Sequence, residues 1–243
     1  KQKTAYEISL GLVGSEMCIR DRYMTMSTSK VIEEIEKLKE KGEISEDTYI
    51  KLKKAVENPI RIDLGRIFRK FGMSNRNLIL DIAAGGSGTG PKVLGRQTVA
   101  LDISKTEIGS AKNEGALAQW VCADATKLPF KEETFDFAFT FIGLAYIKGK
   151  ENKLMTLKET YRVLRSGGIL LLIEPEISEN VKDYMEYYIV CKDGKIINET
   201  IFGVSGAEIT QTLEMLSDML QHVKFKVHVE ARDRYFIIAG HKL

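Results

Sequence analysis

Short apolar runs recur through the middle of the chain, each closed by glycine, an acid or a turn, with amphipathic stretches between and around them. Residues 78–82, 98–101, 120–123, 135–141 and 169–173 read as five strands. Residues 152–164 read as a helix, followed by the turn Arg165-Ser166-Gly167-Gly168. Upstream, residues 27–41 carry Val31, Ile32, Ile35 and Leu38 on one helical face, and Gly42 breaks the pattern. Ser45 is placed to cap a second helix, with Glu46 and Asp47 in its first turn, lysines further along, and Tyr49, Leu52 and Val56 on its apolar side. Residues 59–71 form a third segment, stopped by Gly72.

Downstream, Lys192-Asp193-Gly194-Lys195 is a turn signal between residues 187–191 and 196–201, which predicts a β-hairpin. Tyr184, Tyr187 and Tyr188 are offered there either as pocket lining or as packing. Ser205 with Glu208 reads as a capping box opening a helix through His222, with Ile209, Leu213, Leu216 and Leu220 inward. Residues 224–231 and 235–239 are the last two strands, joined by a tight Arg232-Asp233-Arg234 connection. There are no internal repeats.

The most informative stretch is 78–104. The first apolar run ends in a loop with glycines at 85, 86, 88 and 90, and the second ends in Asp102. Strand, glycine turn, short helix, strand and acid is the layout of a nucleotide-type cofactor site, in which the acid accepts from a ribose diol. The dinucleotide fingerprint needs glycines at n, n+2 and n+5. Starting at Gly85 puts Ser87 second, starting at Gly86 puts Pro91 third, and starting at Gly88 puts Val93 third. Asp81 at the head of the loop would also repel a pyrophosphate. It suits a cationic or amino-bearing ligand, and S-adenosylmethionine carries a sulfonium and an amino group.

With the later pieces in order, the chain resembles the class I S-adenosylmethionine-dependent methyltransferases, most closely the small-molecule branch called type 11. The resemblance rests on Leu80-Asp81-Ile82-Ala83-Ala84-Gly85, Ala100-Leu101-Asp102-Ile103-Ser104, Ala123-Asp124-Ala125-Thr126-Lys127-Leu128-Pro129-Phe130, Thr134-Phe135-Asp136, and Glu159-Thr160-Tyr161-Arg162-Val163-Leu164-Arg165-Ser166-Gly167-Gly168. It covers residues 76–175. It implies an α/β, Rossmann-like fold: a seven-stranded, mostly parallel sheet with an antiparallel last strand, helices on both faces, and here an N-terminal helical cap. It also implies S-adenosylmethionine as cofactor. Asp81 and the backbone of Ala83, Ala84 and Gly85, with Gly86 beside them, are then expected to face the methionine moiety. Asp102 is expected to hold the ribose hydroxyls, Ile103 to lie against the adenine, and Asp124 and Ala125 to pair with its edge. Thr140 and Phe141 are expected to flank the methyl-transfer pocket. Two departures stand out. The family's first loop glycine is Ala83 here, with the loop lengthened by about two residues. The following helix is also short, with Pro91 at its start.

Methyl transfer needs positioning and a dry pocket more than a fixed set of catalytic groups. Tyr146 and Glu176 are the candidate catalytic or substrate-contacting residues, and Glu174 is a further strand-end acid. The three histidines, His222, His228 and His241, read as structural. The place after the fourth strand reads Thr140-Phe141-Ile142-Gly143 rather than the Asn/Asp-Pro-Pro-aromatic loop of nucleobase amino-methylating relatives. The alternative reading is a non-catalytic S-adenosylmethionine-binding module acting through a protein partner, and a nicotinamide-dependent oxidoreductase ranks third.

Composition narrows the partners. A chain of 243 residues is long enough for one α/β domain with an appendage. A formal net charge of +2 argues against a general nucleic-acid surface. Three cysteines without a CxxC pair suggest neither a disulfide framework nor a metal site. No apolar run approaches the length of a membrane span. The expectation is a cytoplasmic monomer or homodimer acting on a small-molecule acceptor, without nucleic acid, membrane or metal. Residues 1–23 fit neither a signal peptide nor a periodic element, and they resemble a translated sequencing-adapter read-through. The natural start is expected at Met24 or Met26, with residues 24–75 as helical cap or lid. Residues 76–243 are then the catalytic domain, with the hairpin inserted near 184–201.

Overall fold

The structure is a computed structural model, and it describes residues 28–74, 76–231 and 234–243. The leader over residues 1–23, the start at Met24 or Met26, and residues 232–233 of the last connection lie outside the described residues. The chain divides into two compact units. One runs to Ile62 and includes Tyr184–Gly203, and the other comprises Asp63–Asp183 and Val204–Leu243.

The first unit pairs two helices with a three-stranded sheet. Helix α1 (Thr28–Glu40) and helix α2 (Glu46–Glu57) follow the amphipathic patterns of the sequence. The Ser45 hydroxyl accepts from Thr48 N–H at 3.1 Å and caps α2. The segment expected over 59–71 is split: β1 (Ile60–Asp63) precedes helix α3 (Leu64–Lys70), which Asp63 caps by accepting from Arg66 N–H at 2.9 Å. The alternation of Ile60 and Ile62 with polar neighbours has the period of a strand and not of a helix, which is why the segment divides there. The sheet has the order β1-β7-β8, with β7 (Asp183–Lys192) and β8 (Lys195–Ser205) forming the expected hairpin. Asp193 and Gly194 both have positive φ, as a two-residue hairpin turn of the right twist requires. The core of this unit joins Val31, Ile35, Leu52 and Val56 to Tyr187, Ile189 and Cys191, so the N-terminal helices and the inserted hairpin share one apolar cluster. Tyr188 is buried edge-on against Phe202, and its hydroxyl meets that of Tyr184 at 2.5 Å.

The second unit is built on a seven-stranded sheet of order β4-β3-β2-β5-β6-β10-β9. Strands β2 (Ile79–Ile82), β3 (Thr98–Asp102), β4 (Gln119–Cys122), β5 (Phe135–Phe141) and β6 (Leu164–Pro175) run parallel to one another. β10 (Tyr235–Lys242) is antiparallel to both β6 and β9 (Phe225–Ala231). β2, β3 and most of β5 and β6 are buried, as strands covered on both faces must be. Between them run α4 (Thr89–Leu94), α5 (Lys105–Asn113), α6 (Gly143–Tyr146), α7 (Lys150–Val163) and α8 (Leu213–His222).

Three sequence expectations are corrected here. The turn at 165–168 does not separate helix from strand. It is an irregularity inside β6, where Leu164 pairs with Phe135 and Ile169 with Phe137. Helix α4 begins at Thr89, two residues before Pro91. Ser205 and Glu208 form no capping box: β8 runs through Ser205, Gly206 and Glu208 take positive φ, and Gln211 bridges to Ile177. The cap belongs to Thr212, whose hydroxyl accepts from Met215 N–H at 3.1 Å.

The motif residues also anchor loops. Glu159 accepts from Leu128 N–H at 2.8 Å, and Arg162 donates to the carbonyls of Phe130 and Leu128. Two charges on α7 thus hold the chain that leaves β4. Asp136 accepts from Leu78 N–H at 2.8 Å and fixes the entry to β2.

Candidate functional site

β2 pairs with β3 on one side and β5 on the other, so the strand order reverses at β2. In open α/β sheets the crevice at the carboxyl ends beside such a reversal is where ligands bind. Asp81, Asp102 and the loop between β2 and α4 lie at that edge.

The loop is shaped by three residues with positive φ: Ala83, Gly85 and Gly88. Ala84 N–H donates to Leu101 O at 3.0 Å, and Gly85 N–H donates to Asp102 Oδ2 at 2.8 Å. Gly86 N–H donates to Glu107 Oε2 at 2.6 Å. The other oxygen of Asp102 accepts from Ser104 N–H at 2.8 Å. The loop glycines differ in purpose. A Cβ on Gly85 would meet nothing within 4 Å, so the backbone there borders open space. A Cβ on Gly88 would strike Ala116, and one on Gly90 would overlap the Asp81 carboxylate and the Phe139 ring.

Asp81 is 2% exposed. Burial pushes its carboxyl well above the usual carboxylate range, and the nearby Asp102 pushes it further the same way. A cation set against this pair would relieve both effects. Ile103 follows Asp102 and is 55% exposed, an apolar side chain presented outward beside the acid. Ala125 is buried, whereas Asp124 is exposed and folds back onto Thr126, accepting from its N–H and hydroxyl at 2.8 Å. Thr140 and Phe141 are buried at the end of β5. The donor set thus fits the expected cofactor: a buried acid for a cation, a second acid at a strand end, an exposed apolar residue, and an unobstructed glycine.

Beyond β5 the chain turns through Ile142, a β-branched residue at φ +60°, into α6. A buried network holds this turn. Leu144 N–H donates to Glu174 Oε1 at 3.1 Å, Gln211 Nε2 donates to Glu174 Oε2 at 2.9 Å, and Lys153 Nζ donates to Gln211 Oε1 at 3.3 Å and to Leu144 O. Burial raises the Glu174 carboxyl, opposed by the Thr140 hydroxyl, Leu144 N–H, Gln211 and Lys153. Burial pulls the Lys153 ammonium down to about 8, against the attraction of Glu174.

The structure places the residues of the glycine loop, Asp102, Ile103 and the β4–β5 residues together along one sheet edge. Tyr146 ends α6 and is 40% exposed. Glu176 is exposed and accepts from Leu213 N–H at 2.9 Å, holding the start of α8. Three residues of this region escaped the sequence reading. Glu107 sits three residues after Ser104, a capping-box spacing that could have marked it. Lys153 lies on the same α7 stripe as Leu157 and Thr160, a cation at a core position. Gln211 carries no sequence signal.

Residues 80–172 match the methyltransferase domain family. The ubiquinone/menaquinone biosynthesis C-methyltransferase of Neisseria meningitidis serogroup C is 29% identical over 152 residues, 55% of this chain and 61% of that protein. Its namesake from a Marinomonas strain is 32% identical over 143 residues, 52% of this chain and 55% of that protein. The chain spans less than two thirds of the length of these relatives. An S-adenosylmethionine-dependent methyltransferase from Methanosarcina mazei superposes with a TM-score of 0.54 at 19% identity, covering 75% of this chain and 99% of that one. A methyltransferase of the same description from Aquifex aeolicus superposes with a TM-score of 0.54 at 16% identity, covering 73% and 88%. Both share the fold. Among the described residues no helix is long and apolar enough to cross a membrane.

Proposed function

We propose that the chain, whose residues 80–172 match the methyltransferase domain family, is a class I S-adenosylmethionine-dependent methyltransferase that transfers a methyl group to a small, apolar or aromatic acceptor. The observation that carries the reading is the buried Asp81 carboxyl beside Asp102 at the reversal of the sheet. A ligand bearing both positive charge and a ribose diol satisfies the two acids at once.

Asp81 and the backbone of Ala83, Ala84, Gly85 and Gly86 hold the methionine portion in this reading. Asp102 accepts from the ribose hydroxyls, Ile103 covers one face of the adenine, and Asp124 and Ala125 meet its edge. When bound, the cofactor supplies a sulfonium methyl that an acceptor nucleophile takes in line, leaving a thioether. Thr140 and Phe141 wall the transfer pocket and keep water from it, and Tyr146 contacts the acceptor. Glu176, engaged with Leu213 N–H, is assigned no chemical step. The apolar character of the acceptor is supported by the buried Phe141 that ends β5 and the buried Ile142 and Leu144 that follow it. It is also supported by the names of the relatives, which act in quinone biosynthesis.

Calorimetric titration of the full chain with S-adenosylhomocysteine, with NAD in parallel, tests the reading. Micromolar or tighter binding of the first alone is expected. Binding of NAD alone, or of neither ligand, overturns it.

A further inference from the structure

At the junction of β3 and α5 a capping box is half made. Ser104 accepts from Glu107 N–H at 3.2 Å, which is the first half of the motif. In the second half the glutamate would return to the Ser104 N–H. That N–H is already taken by Asp102 Oδ1 at 2.8 Å. The Glu107 carboxylate reaches instead across 21 residues of sequence to Gly86 N–H, at 2.6 Å.

The contacts close a ring. Glu107 holds Gly86, whose neighbour Gly85 donates to Asp102 Oδ2. Asp102 Oδ1 accepts from Ser104 N–H, and Ser104 caps the turn that carries Glu107. Two successive glycine amides are therefore gripped by two carboxylates from a single strand–helix junction. Gly86 lies in the glycine loop after β2, which the resemblance reads as about two residues longer than the family pattern. An extra stretch of glycine-rich backbone adds conformational freedom that something must remove if the loop is to present one shape. Successive backbone amides in such a turn also form a concavity that attracts anions. Here the protein's own carboxylates occupy it.

We propose that Glu107 is a positioning residue of the cofactor loop: its bond to Gly86 N–H fixes the lengthened loop against Asp102 in the shape that receives S-adenosylmethionine, and it fills an amide pair that would otherwise take a ligand phosphate. This rests on the reading of the site given above. Loss of Glu107 leaves Gly86 N–H without its acceptor, and Asp102 loses one side of the frame that orients it.

The test compares the full-length chain with Glu107→Gln and Glu107→Ala. Glu107→Gln retains an amide oxygen that can accept from Gly86 N–H. Two readouts are taken: S-adenosylhomocysteine affinity by calorimetry, and hydrogen exchange of the segment 84–88 without ligand. Removing a charge-assisted contact of this kind is expected to weaken affinity about tenfold or more in Glu107→Ala and less in Glu107→Gln. Exchange of the segment should quicken in the same order while the unfolding midpoint changes little. Affinity equal to the parent in Glu107→Ala, with the parent binding normally, overturns the proposal and leaves the methyltransferase reading intact. A parent chain that does not bind overturns that reading instead. Exchange then decides the fate of the ring alone, and unchanged protection at 84–88 in Glu107→Ala disproves it.

Discussion

Lys153 and Glu174 bracket a single residue: the ammonium donates to the carbonyl of Leu144 and the carboxylate accepts its N–H. Both side chains are fully buried. The turn between them carries Ile142 at φ +60°, a conformation that a β-branched residue adopts only when its surroundings impose it. The buried pair, joined through Gln211, is that imposition.

The pair makes stability depend on pH with a definite sign. Lys153 in the folded chain titrates at about 8, and it takes its ordinary value of 10.5 when unfolded. Between these values the unfolded chain binds more protons, so this group's contribution to stability rises with pH from 8 to 10.5. It is lost as pH falls through 8. The full span amounts to about 3 kcal/mol. Denaturant titrations of the parent and of Lys153→Met at pH 7.5, 8.5 and 9.5 should diverge accordingly, with only the parent showing this gain. Parallel curves would rule out a depressed Lys153.

Asp81 has the opposite linkage. Its folded carboxyl lies well above 3.8 because of burial and Asp102. Above that pH the folded chain holds a proton that the unfolded chain has released, so stability contributed at low pH is lost as pH rises through the folded value. Asp81→Asn keeps the shape beside Gly90 and removes the titration. The variant should be more stable than the parent at pH 7 in the absence of ligand, with the gain vanishing below about pH 4. It should bind S-adenosylhomocysteine about tenfold less well, since a neutral amide replaces the partner of the ligand's amino group. Chemical denaturation and calorimetry check the two halves separately, and tighter binding by the variant would refute the assignment.

Asp102→Ala addresses the ribose. S-adenosylhomocysteine binding should weaken by about 1.5–3 kcal/mol, as for a lost charge-assisted pair of hydrogen bonds. Because Asp102 also holds Gly85 and Ser104, Asp102→Asn is the companion variant, and its affinity should fall between the two. Equal affinity in all three proteins would remove Asp102 from the site.

The legibility of these features in the sequence follows their physics. Strand cores were readable because parallel strands buried on both faces are continuous apolar runs, as at residues 79–82 and 169–173. The hairpin was readable because Asp193-Gly194 is a local turn signal with a local cause. Asp102 was readable because an acid closing an apolar run is conspicuous, and Asp81 because an acid standing inside one is equally so. The capping box at 205–208 misled because the motif is only four residues long. β8 supplies a ladder that continues through Ser205, and tertiary pairing outweighs a local cap. The split of residues 59–71 was missed because β1 is a four-residue strand whose partners lie in the distant hairpin.

The buried polar network was hidden for a different reason. Glu174, Lys153 and Gln211 come from three separated stretches, and none is meaningful without the others. Glu174 shows in the sequence only as an acid at the end of an apolar run, and Lys153 only as a charge on the inward stripe of α7. Glu107 was obscured by its own motif: the spacing from Ser104 announces a helix cap, and the cap's second half is redirected to Gly86 only because Asp102 has occupied the Ser104 N–H.

Ala83 gives the remaining prediction. It stands where the family pattern has glycine, and it adopts φ +55°, the left-handed region in which an L side chain is strained by about 1–2 kcal/mol. Ala83→Gly relieves that strain and adds freedom to the unfolded chain, which offsets about 0.4–1 kcal/mol of the gain. The net expectation is a stabilisation of about 0.5–1 kcal/mol. The backbone shape is already the one glycine prefers, so the amides of Ala84 and Gly85 keep their bonds to Leu101 and Asp102, and S-adenosylhomocysteine affinity should not change. Ala83→Val, with a branched Cβ in the same conformation, should be destabilised relative to the parent. Denaturation midpoints rank the three proteins as Gly, then Ala, then Val. The reverse order of the first two would show that the Ala83 methyl contributes more in packing beside Gly143 than it costs in strain.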